Sequence, residues 1–447
     1  MNIARNIPII VHTPVSSFRG VRAQDGNYSM FLGIPYARID PKNVFGSPIP
    51  HKFEGIFEAV DDTSRCPQIE EYNQTITGTL DCLHVNIYVP NSASIHNPLP
   101  VKIHIFGGTY IFGFASRYVY GPRFLVRHDV IFITLNYRLG PYGFMCLNTY
   151  IVPGNQGLKD QVQALRWIKE NIRYFAGDDS KITIAGNSAG GQSVDLHQYF
   201  LQEPLYNRVI LQSGVALNRP LHIRDPEPYA PIKLANLLNY TTNNINDALS
   251  FLNKVEPHEL IAATRDSGVF LGPCVEKRFE NVNNKFSNET KMIVRLFYYG
   301  DDVQREDNRR QEINVGADFV FHRPIFRTVR KYLESGLNNT YFYMFSFCSE
   351  KNYYNPYSVV NEASCCGAVH ADELGYLFDC SFMKERLRDE DMLIGDRMTE
   401  LWSNFAKYGN PTPKPSKLIP LQWPRVTQDK PQKLYAGDSC HSTQDLQ

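Results

Sequence analysis

From about residue 100 onward, short apolar runs rich in β-branched and aromatic residues alternate with longer stretches in which apolar positions recur every three or four residues. An alternation of these two periods predicts a mostly parallel sheet with crossover helices, the α/β class. Strands are expected over 101–106, 130–136, 181–185, 208–212 and 340–347. Between the second and third, Val162, Leu165, Ile168 and Ile172 keep one helical face apolar, so a helix with one buried face lies there. Together these form a βαβ unit that ends at Ser188.

There is no internal repeat or low-complexity linker. The proline-rich patches at 219–231 and 411–424 are expected as surface loops, so residues 1–447 are read as a single domain. The composition agrees with a buried core: 43% of residues are hydrophobic, with 27 Phe and 26 Tyr. Forty-six basic and 46 acidic residues cancel, which excludes a nucleic-acid surface and a charge-driven membrane anchor. No stretch reaches the roughly 18 apolar residues of a membrane span. A neutral small molecule is the expected partner.

The first apolar run stops at His12 and Pro14, short of a signal-peptide core. Read literally, the chain is unexported: cytoplasmic if complete, secreted if its start is truncated. Nine cysteines are scattered without the paired spacing of a zinc site. Five Asn-x-Ser/Thr sequons, at Asn27, Asn73, Asn239, Asn288 and Asn338, point the other way, since they matter only in a secreted protein.

The chemistry is concentrated at Gly186-Asn187-Ser188-Ala189-Gly190. The strand Lys181–Ala185 leads into it and a helix-competent segment follows, which is the context a nucleophile elbow requires. Glycines two positions either side of the serine let strand and helix pass closely while the hydroxyl projects. A serine needs a base to take its proton, and in this fold the order is Ser, acid, His. His370, in Gly367-Ala368-Val369-His370-Ala371-Asp372-Glu373-Leu374, follows the last expected strand and is the candidate base. A second glycine cluster, Phe106-Gly107-Gly108-Thr109-Tyr110, follows the strand at 101–106, where backbone N–H donors for an oxyanion are expected. Each of these motifs has a plainer reading as a tight turn or an ordinary surface histidine.

Further motifs join them: Gly33-Ile34-Pro35-Tyr36-Ala37, Cys66-Pro67-Gln68, Asp81-Cys82-Leu83, Asn136-Tyr137-Arg138-Leu139-Gly140, Gly154-Asn155-Gln156-Gly157-Leu158-Lys159-Asp160-Gln161, and the run Trp402–Pro411. Together they resemble the type-B carboxylesterase and cholinesterase family along nearly the whole chain, in the manner of insect carboxylesterases. The resemblance implies an α/β-hydrolase fold, a large mostly parallel central sheet flanked by helices. It also implies Ser188 as nucleophile, His370 as general base and acid, and the N–H groups of Gly108, Thr109 and Ala189 as the oxyanion hole, with no metal or cofactor. A Cys66–Cys82 disulfide is implied as well, and it conflicts with an unexported chain.

Four departures from the family pattern stand out. Phe106-Gly107-Gly108-Thr109 replaces a His-Gly-Gly-Gly motif and puts a β-branched residue at a donor position. An arginine–glutamate pair is replaced by Val44 and Leu80, and losing both partners is gentler than losing one. Asn187 stands where glutamate is common, removing a negative charge near His370. Most consequential, the segment that carries the acid is missing between Glu276 and Ser287, an internal deletion for which Asp301 or Asp302 is the best substitute. Tyr110, Phe112 and Phe114 are expected to line the pocket. The leading expectation is a serine carboxylic-ester hydrolase weakened by the missing acid. The alternatives are an impaired homologue that sequesters ligands or binds proteins, and an incomplete gene product lacking the acid segment.

Overall fold

The computed structural model describes residues 9–71, 73–218, 226–275, 316–347, 349, 368–383, 388–428, 433–436 and 441–443. Its strands, in chain order, are β1 (Ile9–His12), β2 (Ser17–Arg22), β3 (Tyr28–Pro35), β4 (Ile56–Glu58), β5 (Gln68–Ile69), β6 (Ile76–Thr77), β7 (His84–Pro90), β8 (Leu99–Ile105), β9 (Ile131–Leu135), β10 (Gly177–Asn187), β11 (Arg208–Gln212), β12 (Tyr343–Phe345), β13 (Lys433–Ala436) and β14 (His441–Thr443). The main sheet runs β1-β2-β3-β7-β9-β8-β10-β11, with β4 on β2. Its amino-terminal part, β1-β2-β3-β7-β9, pairs antiparallel. From β9 through β8 and β10 to β11 every pair is parallel.

That parallel half is the one read from periodicity. β9 is five apolar or β-branched residues, all buried, as befits a strand covered on both faces. The helix Gln156–Asn171 buries Val162, Leu165 and Ile168. Ile172, expected on the same helix, instead opens a 3-10 turn over Ile172–Phe175. The expected strand at 340–347 shrinks to Tyr343–Phe345, which leaves the main sheet and pairs with β13 in a three-stranded sheet with β14. Among the described residues no strand lies beyond β11, and Arg208, Val209, Ile210 and Leu211 are each only partly buried. The 219–231 patch is not loop throughout, because Pro231 occupies the first turn of the helix Ala230–Leu237, where its missing N–H costs nothing.

Two of the family-like motifs meet in the core. Arg138, fully buried, donates to Asp160 through Nε (2.7 Å) and Nη2 (2.6 Å), and to the carbonyls of Val44 (3.1 Å) and Gly46 (2.7 Å). Such a pair is stable in the interior only because its remaining hydrogens are also bonded. Val44 therefore contributes a carbonyl to the arginine cradle, while its side chain and that of Leu80 join the apolar core. The expected Cys66–Cys82 disulfide is present and closes the loop that carries β5 and β6. A second, Cys146–Cys274, spans 128 residues and was not expected.

Candidate active site

The site sits at the carboxyl ends of adjacent parallel strands, where open α/β sheets place their crevices. β10 ends at Asn187, and Ser188 turns the chain with φ 54° and ψ −122° before the helix Ala189–Phe200 begins. A serine in that backbone region is strained by about 1–3 kcal/mol. The turn is held by Ser188 N–H donating to Gln212 O (2.8 Å) at the end of β11, and by Gln192 N–H donating to Ser188 O (2.9 Å). A Cβ on Gly190 would fall 2.0 Å from the Ile105 carbonyl of β8, so the motif glycine is required by the close passage of helix over strand.

The glycine loop follows β8 directly. A Cβ on Gly107 would lie 2.6 Å from Asn187 O and 3.0 Å from Ser188 Cβ; the loop therefore touches Ser188. Asn187, read from sequence as a charge deletion near His370, instead accepts from Gly107 N–H through Oδ1 (3.2 Å). Phe106, in the histidine's place, stacks on Tyr137 at 4.4 Å, and Tyr137 OH donates to Phe106 O (2.9 Å). Thr109 and Tyr110 both take positive φ, 51° and 64°, a left-handed turn that is unfavourable for a β-branched residue. Neither Gly108 N–H nor Thr109 N–H donates to any described residue. Ala189 is the first residue of its helix, where N–H has no intrahelical acceptor.

Tyr110 does not line the cleft. It is fully buried, its OH hydrogen-bonds to Gln192 Oε1 (3.1 Å), and its ring packs on Phe144. Burial raises its phenol above the usual tyrosine range, against the hydrogen bond from Ser193. Phe112 and Phe114 do line a cleft, with Gly107, Gly108, Asn187 and Leu374. Glu70 and Glu71 border the same cleft.

His370 precedes the short helix Leu374–Leu377. Its loop docks against the Ser188 turn through Gln212, whose Nε2 donates to Glu373 Oε1 (3.1 Å) while its carbonyl holds Ser188 N–H. Asp372 Oδ2 caps the loop by accepting from Val369 N–H (2.6 Å). The imidazole packs on Phe321 at 4.6 Å between centroids. Burial alone lowers its pKa to about 4. Among the described residues no hydrogen bond joins it to Ser188, and no carboxylate pairs with it. Asp301, Asp302, Gly367 and the segment between Glu276 and Ser287 lie outside the described residues.

Two buried carboxyls near the site had no sign in the sequence. Glu373 is pushed up to about 7 by burial, opposed by its bond from Gln212. Asp195, on the nucleophile's helix, is raised to about 6 by burial, although it accepts from Tyr332 OH and from Ala216 N–H (2.6 Å). Tyr332 belongs to the helix Arg323–Glu334, which continues the segment bearing Phe321. The nucleophile's helix and the ring beside His370 are thus tied together through Asp195.

The model of the carboxylesterase family matches residues 8–283 and 274–445. The chain belongs to the carboxylesterase family. The two matched pieces of this carboxylesterase overlap at 274–283. It is 28% identical to the juvenile hormone esterase of Tribolium castaneum, over 92% of this chain and 84% of that one. Against esterase FE4 of Myzus persicae the identity is 29%, over 87% and 82%. The crystal structure of Manduca sexta juvenile hormone esterase, with OTFP covalently attached, superposes with a TM-score of 0.81 at 24% identity, covering 98% of this chain and 97% of that one. The α/β-hydrolase fold is therefore shared, and this carboxylesterase is a serine hydrolase of the carboxylic-ester class. No helix among the described residues is long and apolar enough to cross a membrane.

Proposed function

We propose that this carboxylesterase hydrolyses small, largely apolar carboxylic esters through an acyl-enzyme on Ser188. His370 takes the serine proton and returns it to the leaving alcohol, and then activates water for deacylation. The N–H groups of Gly108, Thr109 and Ala189 receive the negative charge that develops on the carbonyl oxygen. The observation that carries the reading is the strained Ser188 turn set against Gly107, with the Gly108 and Thr109 donors unspent. Phe112, Phe114, Tyr120 and Leu374 give the cleft apolar walls, which suits an ester with an apolar acyl or alkyl part. The names of the relatives, esterases and a juvenile hormone esterase, lie in the same class.

The test is a fluorophosphonate probe together with short-chain aryl esters. Covalent labelling confined to Ser188 and aryl-ester turnover are expected, and the reading fails if purified protein shows neither. A second reading, an impaired homologue that holds esters or proteins without turning them over, is favoured by the lack of a carboxylate on His370 among the described residues. It is preferred if hydrolysis is undetectable and ligand binding survives Ser188→Ala.

A further inference from the structure

Strand β8 carries two polar side chains for which the ester chemistry has no use so far. Lys102 and His104 alternate with Val101, Ile103 and Ile105, so both point to one face of the sheet, and both are buried. Among the described residues neither the Lys102 amine nor either ring nitrogen of His104 makes an aligned hydrogen bond. Burying polar groups in that condition costs stability. Burial also drives both toward their neutral forms, Lys102 down to about 7 and His104 well below the usual histidine range. Apolar side chains of the same shape would serve the strand as well or better.

The two differ in what they reach. The Lys102 amine faces the rings of Phe132 (5.2 Å) and Phe378 (5.3 Å), a cation–π contact complete in itself. The His104 ring packs on Tyr120 (4.7 Å) and Phe378 (4.8 Å) and also meets the Ser188 turn. In the parallel register His104 lies opposite Ala185 of β10, and Asn187, two residues further on, shares the face of Ala185. The Asn187 amide borders the ring, and its Oδ1 accepts from Gly107 N–H at 3.2 Å. Tyr120 and Asn187 both line the cleft with Gly107 and Gly108. The imidazole therefore lies beneath the cleft, behind the amide that fixes the glycine loop.

We infer that His104 is a positioning residue for ester hydrolysis: it backs the Asn187 amide, which holds Gly107, and so sets the aim of the Gly108 and Thr109 N–H groups. The inference rests on the proposed role of those donors at the developing oxyanion. Hydrogen bonds weaken steeply with misalignment, and Thr109 is kept in left-handed backbone with φ 51°, so a glycine loop free to shift would lose its aim. Phe106 brings no polar side chain to the start of the loop. His104, two residues earlier on the same alternation, supplies one.

The experiment measures aryl-ester kinetics, thermal unfolding and affinity for an aryl trifluoromethyl ketone, whose adduct on Ser188 sets an oxyanion against the same donors. The variants are His104→Phe, His104→Gln, Lys102→Met and Asn187→Leu. His104→Phe keeps the ring packing and should hold or raise Tm, yet lower kcat about tenfold at unchanged KM, short of the 10²–10³ lost with a whole donor. Ketone affinity should fall in the same proportion. His104→Gln, which can still bond an amide, should recover most of kcat. In the Asn187→Leu background His104→Phe should add nothing, and Lys102→Met should leave kcat as it is. Unchanged kcat in His104→Phe, a full further loss on Asn187→Leu, or an equal loss in Lys102→Met overturns the inference, while wild-type turnover leaves the ester-hydrolase reading standing. Absence of wild-type turnover is the separate result that defeats that reading, and the role of His104 with it. Should His104→Phe fail to fold, His104→Leu against His104→Gln decides: equal kcat overturns the inference.

Discussion

Ser188 and the loop of His370 both bond to Gln212, but the two residues are held very differently. The serine follows a strand paired along both edges, its N–H is fixed to Gln212, its carbonyl is used by Gln192, and Gly107 and Gly190 pack against its turn with no spare room. The histidine has one aromatic ring beside it, a capped loop behind it, and no polar partner on the imidazole among the described residues. β12, the strand that precedes its loop, has left the main sheet. A nucleophile can be preorganised by backbone sterics alone. A base needs an electrostatic or hydrogen-bonded orienter, and loss of that orienter in such triads costs about 10⁴ in rate.

The largest expected effect breaks the pair apart. Ser188→Ala should abolish aryl-ester turnover, a loss on the order of 10⁴-fold or more, whereas His370→Ala should cost only about 10²-fold, the low end for a general base. Equal losses in kcat would show that His370 is as well placed as the serine, and the contrast would fall.

The pH dependence of kcat/KM sharpens the same point. If neutral His370 is the base, as proposed, then with burial lowering its pKa to about 4 activity should stay level from about pH 8 to 5 and fall through 4 as the ring takes a proton. A carboxylate beside the ring would raise that inflection toward the ordinary range. An inflection near 7 would therefore reveal an orienting acid. For stability the sign is the same. The unfolded histidine, near the ordinary 6.5, binds its proton before the folded one does, so the fold loses stability as pH drops from about 6.5 to 4.

The smallest effect concerns the donor loop. Thr109→Gly removes a left-handed β-branched residue and relieves roughly 1 kcal/mol of strain. A rise in kcat of about threefold with an unchanged KM is expected for better-aimed N–H donors. A fall in kcat would mean that the threonine side chain is itself needed in the cleft wall.

Much of the nucleophile's half was legible beforehand because its signals are local. The β10–Ser188–helix unit declares itself by a short β-rich run, two glycines at fixed offsets and a helical period, all within about 30 residues. The base's half was legible only as a motif. The aromatic run at 340–347 reads as a full strand, yet only Tyr343–Phe345 pairs, and its partner lies near residue 434. The antiparallel strands before residue 99 went unread, although β3 is buried along all eight residues. Because β3 is buried on both faces it lacks the period-two alternation that marks a half-buried strand, and Asp25-Gly26 between β2 and β3 was the one local signal of the hairpin.

What the sequence determined by itself was the chemistry available: a serine in a glycine-flanked turn, a histidine in a recognisable loop, donors after β8, and the family to which these belong. Tertiary structure decided which polar groups are buried and what they bind. Tyr110 became a core hydrogen-bonding residue and not a cleft wall. Asn187 turned to Gly107. Asp195 and Glu373 became protonatable carboxyls through burial, although each also accepts a hydrogen bond from a distant partner, Tyr332 and Gln212, 137 and 161 residues away. The physical reason is range: backbone sterics and periodicity act over a few residues, whereas desolvation and hydrogen-bond partners are set by whichever distant segments fold alongside.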